Sequence, residues 1–142
     1  MNTDGPTDHS GMRVMTIDEC LAHLATSVIG RVAFARDGEV VILPVHHIVR
    51  GTDICFRTSG SSKLQVAADH SPVGFEVDSH DDETCTGWSV SVTGVASIVD
   101  DDDVVSELDA MHGRGWQVGD GTSQVWVRIR PTAITGRELT EN

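Results

Sequence analysis

Apolar residues at Ile17, Cys20, Leu21 and Leu24 recur with the three- and four-residue spacing of a single helix face. Thr16 and Glu19 stand just ahead with the spacing of a capping box, so the pattern predicts a helix over about 16–26. A different period follows. Arg31 to Arg36 is rich in strand formers, Asp37-Gly38 is a hairpin signal, and a return strand is predicted over Glu39 to Val49. That strand contains Pro44, which has no N–H to give a ladder, so an edge, a bulge or a ligand is expected beside it. Further strands are predicted over Ile54–Thr58, Val73–Asp78, Trp88–Ala96 and Val125–Arg130, the third of these alternating between apolar and small polar residues. Short helices are predicted over about Ser61 to Ala68 and from Asp100 to His112, with an acidic loop over Ser79 to Thr86 and Pro131 to Leu139 closing the chain.

Six or so strands with only short helices imply a mainly β fold, a barrel or sandwich whose ends are closed by helices. The 142 residues suit one domain, expected over 14–142 behind a loose polar arm at 1–13. A formal net charge of −12 repels phosphate backbones and anionic bilayers, so neither nucleic acid nor membrane is an expected partner. The sequence has no apolar run long enough for a membrane helix, and its start lacks the apolar core of a signal peptide. Cys20, Cys55 and Cys85 are widely spaced and odd in number, which fits a reduced, cytoplasmic setting rather than a disulfide framework.

The stretch most suggestive of chemistry is Phe56-Arg57-Thr58-Ser59-Gly60-Ser61-Ser62-Lys63. It leaves a strand, passes a glycine and opens the predicted short helix with two hydroxyls and a lysine, a composition that suits a bound phosphate. Other constellations are weaker. His46 and His47 are neighbours in a strand and point to opposite faces, so they do not chelate one metal. Asp100 to Asp103 is better explained as a helix start than as a metal cluster. Neither a nucleophile elbow nor a P-loop spacing is present. An extended backbone interrupted at Pro44, next to a phosphate cradle at Ser62 and Lys63, has the geometry to hold a flavin mononucleotide.

The order of motifs then resembles a known family. Gly30-Arg31-Val32, Leu43-Pro44-Val45-His46-His47, Phe56-Arg57-Thr58 with Ser62-Lys63-Leu64, Phe75-Glu76-Val77-Asp78, Gly87-Trp88-Ser89-Val90 with Thr93-Gly94, and Val127-Arg128-Ile129-Arg130-Pro131 with Thr135-Gly136-Arg137 follow one another as in the pyridoxamine 5'-phosphate oxidase-like family. More narrowly the chain resembles small actinobacterial members of that FMN-binding split-barrel superfamily, and the resemblance runs from about Glu19 to Arg137. It implies a six-stranded Greek-key split β-barrel, a homodimer, and a flavin in each of two clefts at the dimer interface. Carried over by position, Ile42 to His47, with Pro44, Val45, His46 and His47, would line the flavin ring. Arg57, Thr58, Ser61, Ser62 and Lys63 would hold its phosphate and ribityl chain, and Trp88 and Ser89 would flank it.

The expected function is that of an FMN-dependent oxidoreductase acting on a small molecule, with no catalytic side chain assigned. The alternatives are a reductase using a deazaflavin coenzyme, and a non-catalytic flavin-binding or redox-sensing dimer. The chain carries neither the basic substrate-phosphate site nor the C-terminal tail of the vitamin B6 oxidase, so pyridoxamine phosphate is not the expected substrate. His47 stands near a lysine of that oxidase.

Overall fold

A computed structural model describes residues 5–8, 11–59, 71–112 and 124–140. The expected short helix at 61–68, and with it Ser61, Ser62, Lys63 and also Trp116, lies outside the described residues. The elements are β1 (Arg13–Val14), α1 (Ile17–Thr26), β2 (Ile29–Arg36), β3 (Glu39–Arg50), β4 (Asp53–Ser59), β5 (Ser71–Asp81), β6 (Thr86–Ile98), α2 (Asp102–His112) and β7 (Gln124–Leu139). Neither helix is long and apolar enough to cross a membrane.

Every strand pairing is antiparallel, in the order β1-β7-β4-β3-β2-β5-β6, and β6 pairs again with β7. That last pairing closes a ring of six strands. The expected Greek-key barrel is therefore present, but the strand count is seven rather than six. The seventh is the two-residue β1, which pairs outside the ring with Arg137 and Glu138 of β7. Too short to carry a period-2 pattern, β1 falls at the edge of the stretch expected as a loose arm, where Thr7 also bridges Arg13.

Local chemistry explains most of the boundaries. Thr16 caps α1 by accepting from the Glu19 N–H at 3.2 Å, and the Glu19 carboxylate accepts from the Thr16 N–H at 3.0 Å. Asp37 and Gly38 both take positive φ, 51° and 80°, the conformation of the two-residue turn that matches strand twist. The predicted acidic loop is shorter than expected: β5 continues to Asp81, and β6 begins at Thr86. The predicted last strand is much longer, running through Pro131 to Leu139. It survives the proline because the register slips by one residue between Thr93 and Gly94, so Gly94 faces Pro131 while Thr93 faces Ala133. Such a bulge leaves no ladder bond that needs an N–H from Pro131.

The barrel interior is filled by Val32, Phe34, Val45, Ile54, Phe56, Phe75, Val77, Val90, Val92, Val127 and Ile129. Gly30 is required here, since a Cβ at that position would run into the Phe75 ring. α1 closes one end through Cys20 and Leu24. α2 covers a smaller cluster outside the barrel wall, where Leu108 packs with Cys55, Val99 and Trp126.

Candidate functional site on the outer barrel face

Opposed residues in an antiparallel ladder share a face, so the strand registers define what the barrel wall presents. One row across four strands and into a fifth reads Pro44, Arg31, Glu76, Ser91 and Thr135. The next reads Ile42, Ala33, Gly74, Thr93 and Ala133. Val32, Val45, Phe75 and Val92 alternate with these residues and are buried, so both rows face outward. This outer face is open and partly apolar, with Val40 and Ile42 exposed by 73% and 62%. It holds a shallow groove of about 500 Å³ bordered by Arg31, Ala33, Ile42, Gly74, Glu76 and Asp78.

Pro44 meets its expectation of an open side. The β3–β4 ladder extends only from Arg50 to His47, so among the described residues no strand pairs with β3 on that side at Pro44. The His47 N–H bonds Val28 O at 3.1 Å on the β2 side, and alternation turns the nitrogen of Pro44 the other way, towards the open edge. A residue without an N–H is harmless where no ladder asks for one.

The two histidines divide as their adjacency requires. His47 is buried to 3% exposure, sets its ring edge against Phe75, and donates from Nε2 to Leu24 O at 2.8 Å. Its Nδ1 has no hydrogen-bond partner among the described residues, and burial pushes its pKa down, so it sits in the core as a neutral Nε2–H tautomer. Its side chain is not on the outer face. His46 is half-buried on that face and lies tilted against the His112 ring with centroids 4.6 Å apart. Burial, and then the Arg57 charge, lower its pKa.

Arg57 is the best-built candidate ligand. Its guanidinium lies 5.8 Å from the Trp126 ring centroid, contacts Asp109 Oδ1 at 3.4 Å, and donates to His112 Nδ1 at 3.3 Å. Asp109 also accepts from the Trp126 indole N–H at 2.8 Å. Arg57 Nε is buried with no hydrogen-bond partner among the described residues. A buried donor of that kind costs on the order of 1–3 kcal/mol, a cost that an acceptor oxygen of a bound anion would relieve. Thr58 points the other way and is fully buried.

Trp88 and Ser89 lie across the barrel. Trp88 stacks on His23 of α1 with ring centroids 3.7 Å apart, which turns it towards the helix-capped end. Ser89 is on the outer face, flanked by Asp78 and Arg137. Three strand spacings separate β6 from β3, about 14 Å at about 4.8 Å each. A single chain thus spreads the expected residues over its wall. Pro44, His46, Arg57 and Ser89 face outward, whereas Val45, His47 and Thr58 face inward.

Sequence reasoning did not foresee Asp109, His112 and Trp126 around Arg57, nor Arg31, Glu76 and Asp78 as one cluster. Arg31 Nη1 lies 3.7 Å from Glu76 Oε1 and 3.4 Å from Asp78 Oδ2. A signal for the second group was visible in Phe75-Glu76-Val77-Asp78, where alternation puts both acids on the face opposite two buried apolar residues.

Comparison with known proteins agrees with this architecture. Residues 16–138 match the pyridoxamine 5'-phosphate oxidase family. An uncharacterised Mycobacterium tuberculosis protein, Rv0080, is 38% identical over 124 residues, covering 84% of this chain and 80% of its own. The structure of an FAD-binding protein from Mycobacterium smegmatis is 35% identical with a TM-score of 0.76, covering 89% of this chain and 99% of that one. A Corynebacterium glutamicum structure, provisionally named as a pyridoxamine 5'-phosphate oxidase, is 34% identical with a TM-score of 0.77, covering 91% of this chain and 98% of that one.

Proposed function

Since the chain belongs to the pyridoxamine 5'-phosphate oxidase family, we propose that it binds a flavin on its outer barrel face and serves as a flavin-dependent oxidoreductase for a small molecule. The observation that carries this reading is Arg57: a guanidinium held by Asp109, His112 and Trp126, with its buried Nε left for an acceptor oxygen. A bound flavin supplies the acceptor for a hydride or for electrons. The chain supplies position and electrostatics. Arg57 binds the phosphate, with Ser61, Ser62 and Lys63 assigned to complete the cradle, and the open edge of β3 at Pro44 faces the ring system. His46 presents a neutral imidazole beside that edge, because burial and Arg57 both disfavour its protonation. His47 acts from behind, fixing β3 to α1 through Leu24.

The active unit is proposed to be a homodimer in the cytoplasm. Exposed Val40 and Ile42 among small residues make a face suited to a second copy, which would bring its own Ser89 towards Arg57. FMN is the flavin proposed; the likeness to an FAD-binding protein makes FAD the one to compare with it. A deazaflavin coenzyme is the weaker reading, because its acidic tail needs a basic groove on a chain of net charge −12.

The test is the visible spectrum of the purified protein, followed by fluorescence titration with FMN, FAD and riboflavin. Saturable binding of FMN or FAD, weakened about tenfold or more by Arg57→Ala with riboflavin affinity unchanged, supports the reading. A colourless protein that binds none of the three overturns it.

A further inference from the structure

We propose that Arg31, Glu76 and Asp78 form a proton-dependent latch at the seat of the second copy, so that the dimer tightens when one proton is bound per triad and loosens when it is lost. The inference rests on the dimer proposed above and on its outer-face geometry.

β2 and β5 place the three side chains together: Arg31 is paired with Glu76, and Asp78 follows on the same face. They flank the Ile42–Ala33–Gly74 row, inside the surface that a second copy would cover. Fully ionised, the triad carries one positive and two negative charges. Each copy would then bury a net negative charge against its partner's, which is costly. With Glu76 protonated, its hydroxyl can donate to Asp78 while Asp78 pairs with Arg31, and the triad is neutral. The same strip carries both signs, so a two-fold axis can set the Arg31 of one copy towards the Asp78 of the other.

His80 follows Asp78 on the same face of β5 and contacts Asp82 Oδ1 at 3.4 Å. Among the described residues, the neighbours of Glu76 in its row are Arg31 on β2 and Ser91 on β6, beyond which lie Pro44 and Thr135. Asp78 has Ser89 beside it, and the Arg137 beyond is already paired with Asp8 at 2.8 Å. Burial, the hydrogen bond with Asp78 and the Asp78 charge together raise the Glu76 pKa to about 7, against the opposing pull of Arg31. Covering the face with a second copy desolvates Glu76 further and raises its pKa again. Dimerisation therefore takes up protons above about pH 7, and association weakens as pH rises through that range.

The experiment is sedimentation velocity of the full chain from pH 6 to 9, on wild type, Glu76→Gln, Asp78→Asn and Ile42→Asp. With one proton per protomer, the wild-type dimer Kd should rise with a slope approaching about a hundredfold per pH unit above neutrality. Glu76→Gln and Asp78→Asn should flatten that slope. A wild-type Kd independent of pH, or an undiminished slope in Glu76→Gln, overturns the latch. The dimer reading fails separately: a wild-type chain that is monomeric at every pH, or a dimer indifferent to Ile42→Asp, overturns the seat itself.

Discussion

The two sides of one barrel wall are built from different kinds of residue. Inward residues of β2, β3 and β5, such as Val32, Val45, Phe75 and Val77, are almost fully buried within a single copy. Their outward neighbours Ala33, Pro44, Gly74 and Asp78 are small, rigid or charged, and Val40 and Ile42 remain open to water. The inside is filled by the chain's own side chains, whereas the outside keeps apolar side chains in contact with water. His46 and His47 mark the division, one residue apart: one ring lies against His112 on the outer face, the other is a bolt in the core.

Substitutions on the two sides should have different effects. Phe56→Ala, on the inside, should cost about 3–5 kcal/mol in urea unfolding, because Phe56 is wholly buried. Ile42→Asp, on the outside, should leave monomer stability within about 0.5 kcal/mol while weakening self-association. Equal losses in the two variants would refute the distinction.

The histidine pair sharpens it. His47→Ala should cost about 2–3 kcal/mol, since it opens a cavity and leaves Leu24 O without its donor. The native pKa of His47 lies below its unfolded value, so the contribution of the neutral ring is present above about pH 6.5 and declines as pH falls below it. Unfolding titrations from pH 7.5 to 5 should show this decline in His46→Ala and a smaller one in His47→Ala. The same slope in both would mean that another group carries it.

A smaller effect belongs to the end of the barrel. Thr16→Ala should cost about 1 kcal/mol through the lost cap, measured by urea unfolding. Hydrogen bonds from Arg13 and Thr16 hold the Glu19 carboxyl down at about 2. Its contribution is present above the ordinary carboxylate range and is lost as pH falls towards that value. A Thr16→Ala variant as stable as wild type would show that the capping box contributes nothing to the fold.

What was legible in the sequence was what short-range chemistry enforces. Thr16 and Glu19 announced α1, Asp37-Gly38 announced the hairpin, and Pro44 announced an open strand edge. Less legible was whatever depends on partners distant in sequence. Strand β7 passes Pro131 because Gly94, far earlier in the chain, makes room by a register slip. The setting of Arg57 is contributed by Asp109 and His112, about fifty residues away on a helix whose acidic start concealed no spacing signal. Ser62 and Lys63 lie outside the described residues, whereas Arg57 is described and keeps a buried Nε without a hydrogen-bond partner among them.

β7 pairs with β4 near its beginning, with β6 along most of its length and with β1 near its end. Without residues 124–139 the other five strands of the ring would have two unpaired borders, β4 and β6, both satisfied by the same strand. Closure thus depends on one strand meeting two borders at once, and a chain whose β7 has detached carries two adhesive edges that another chain can claim.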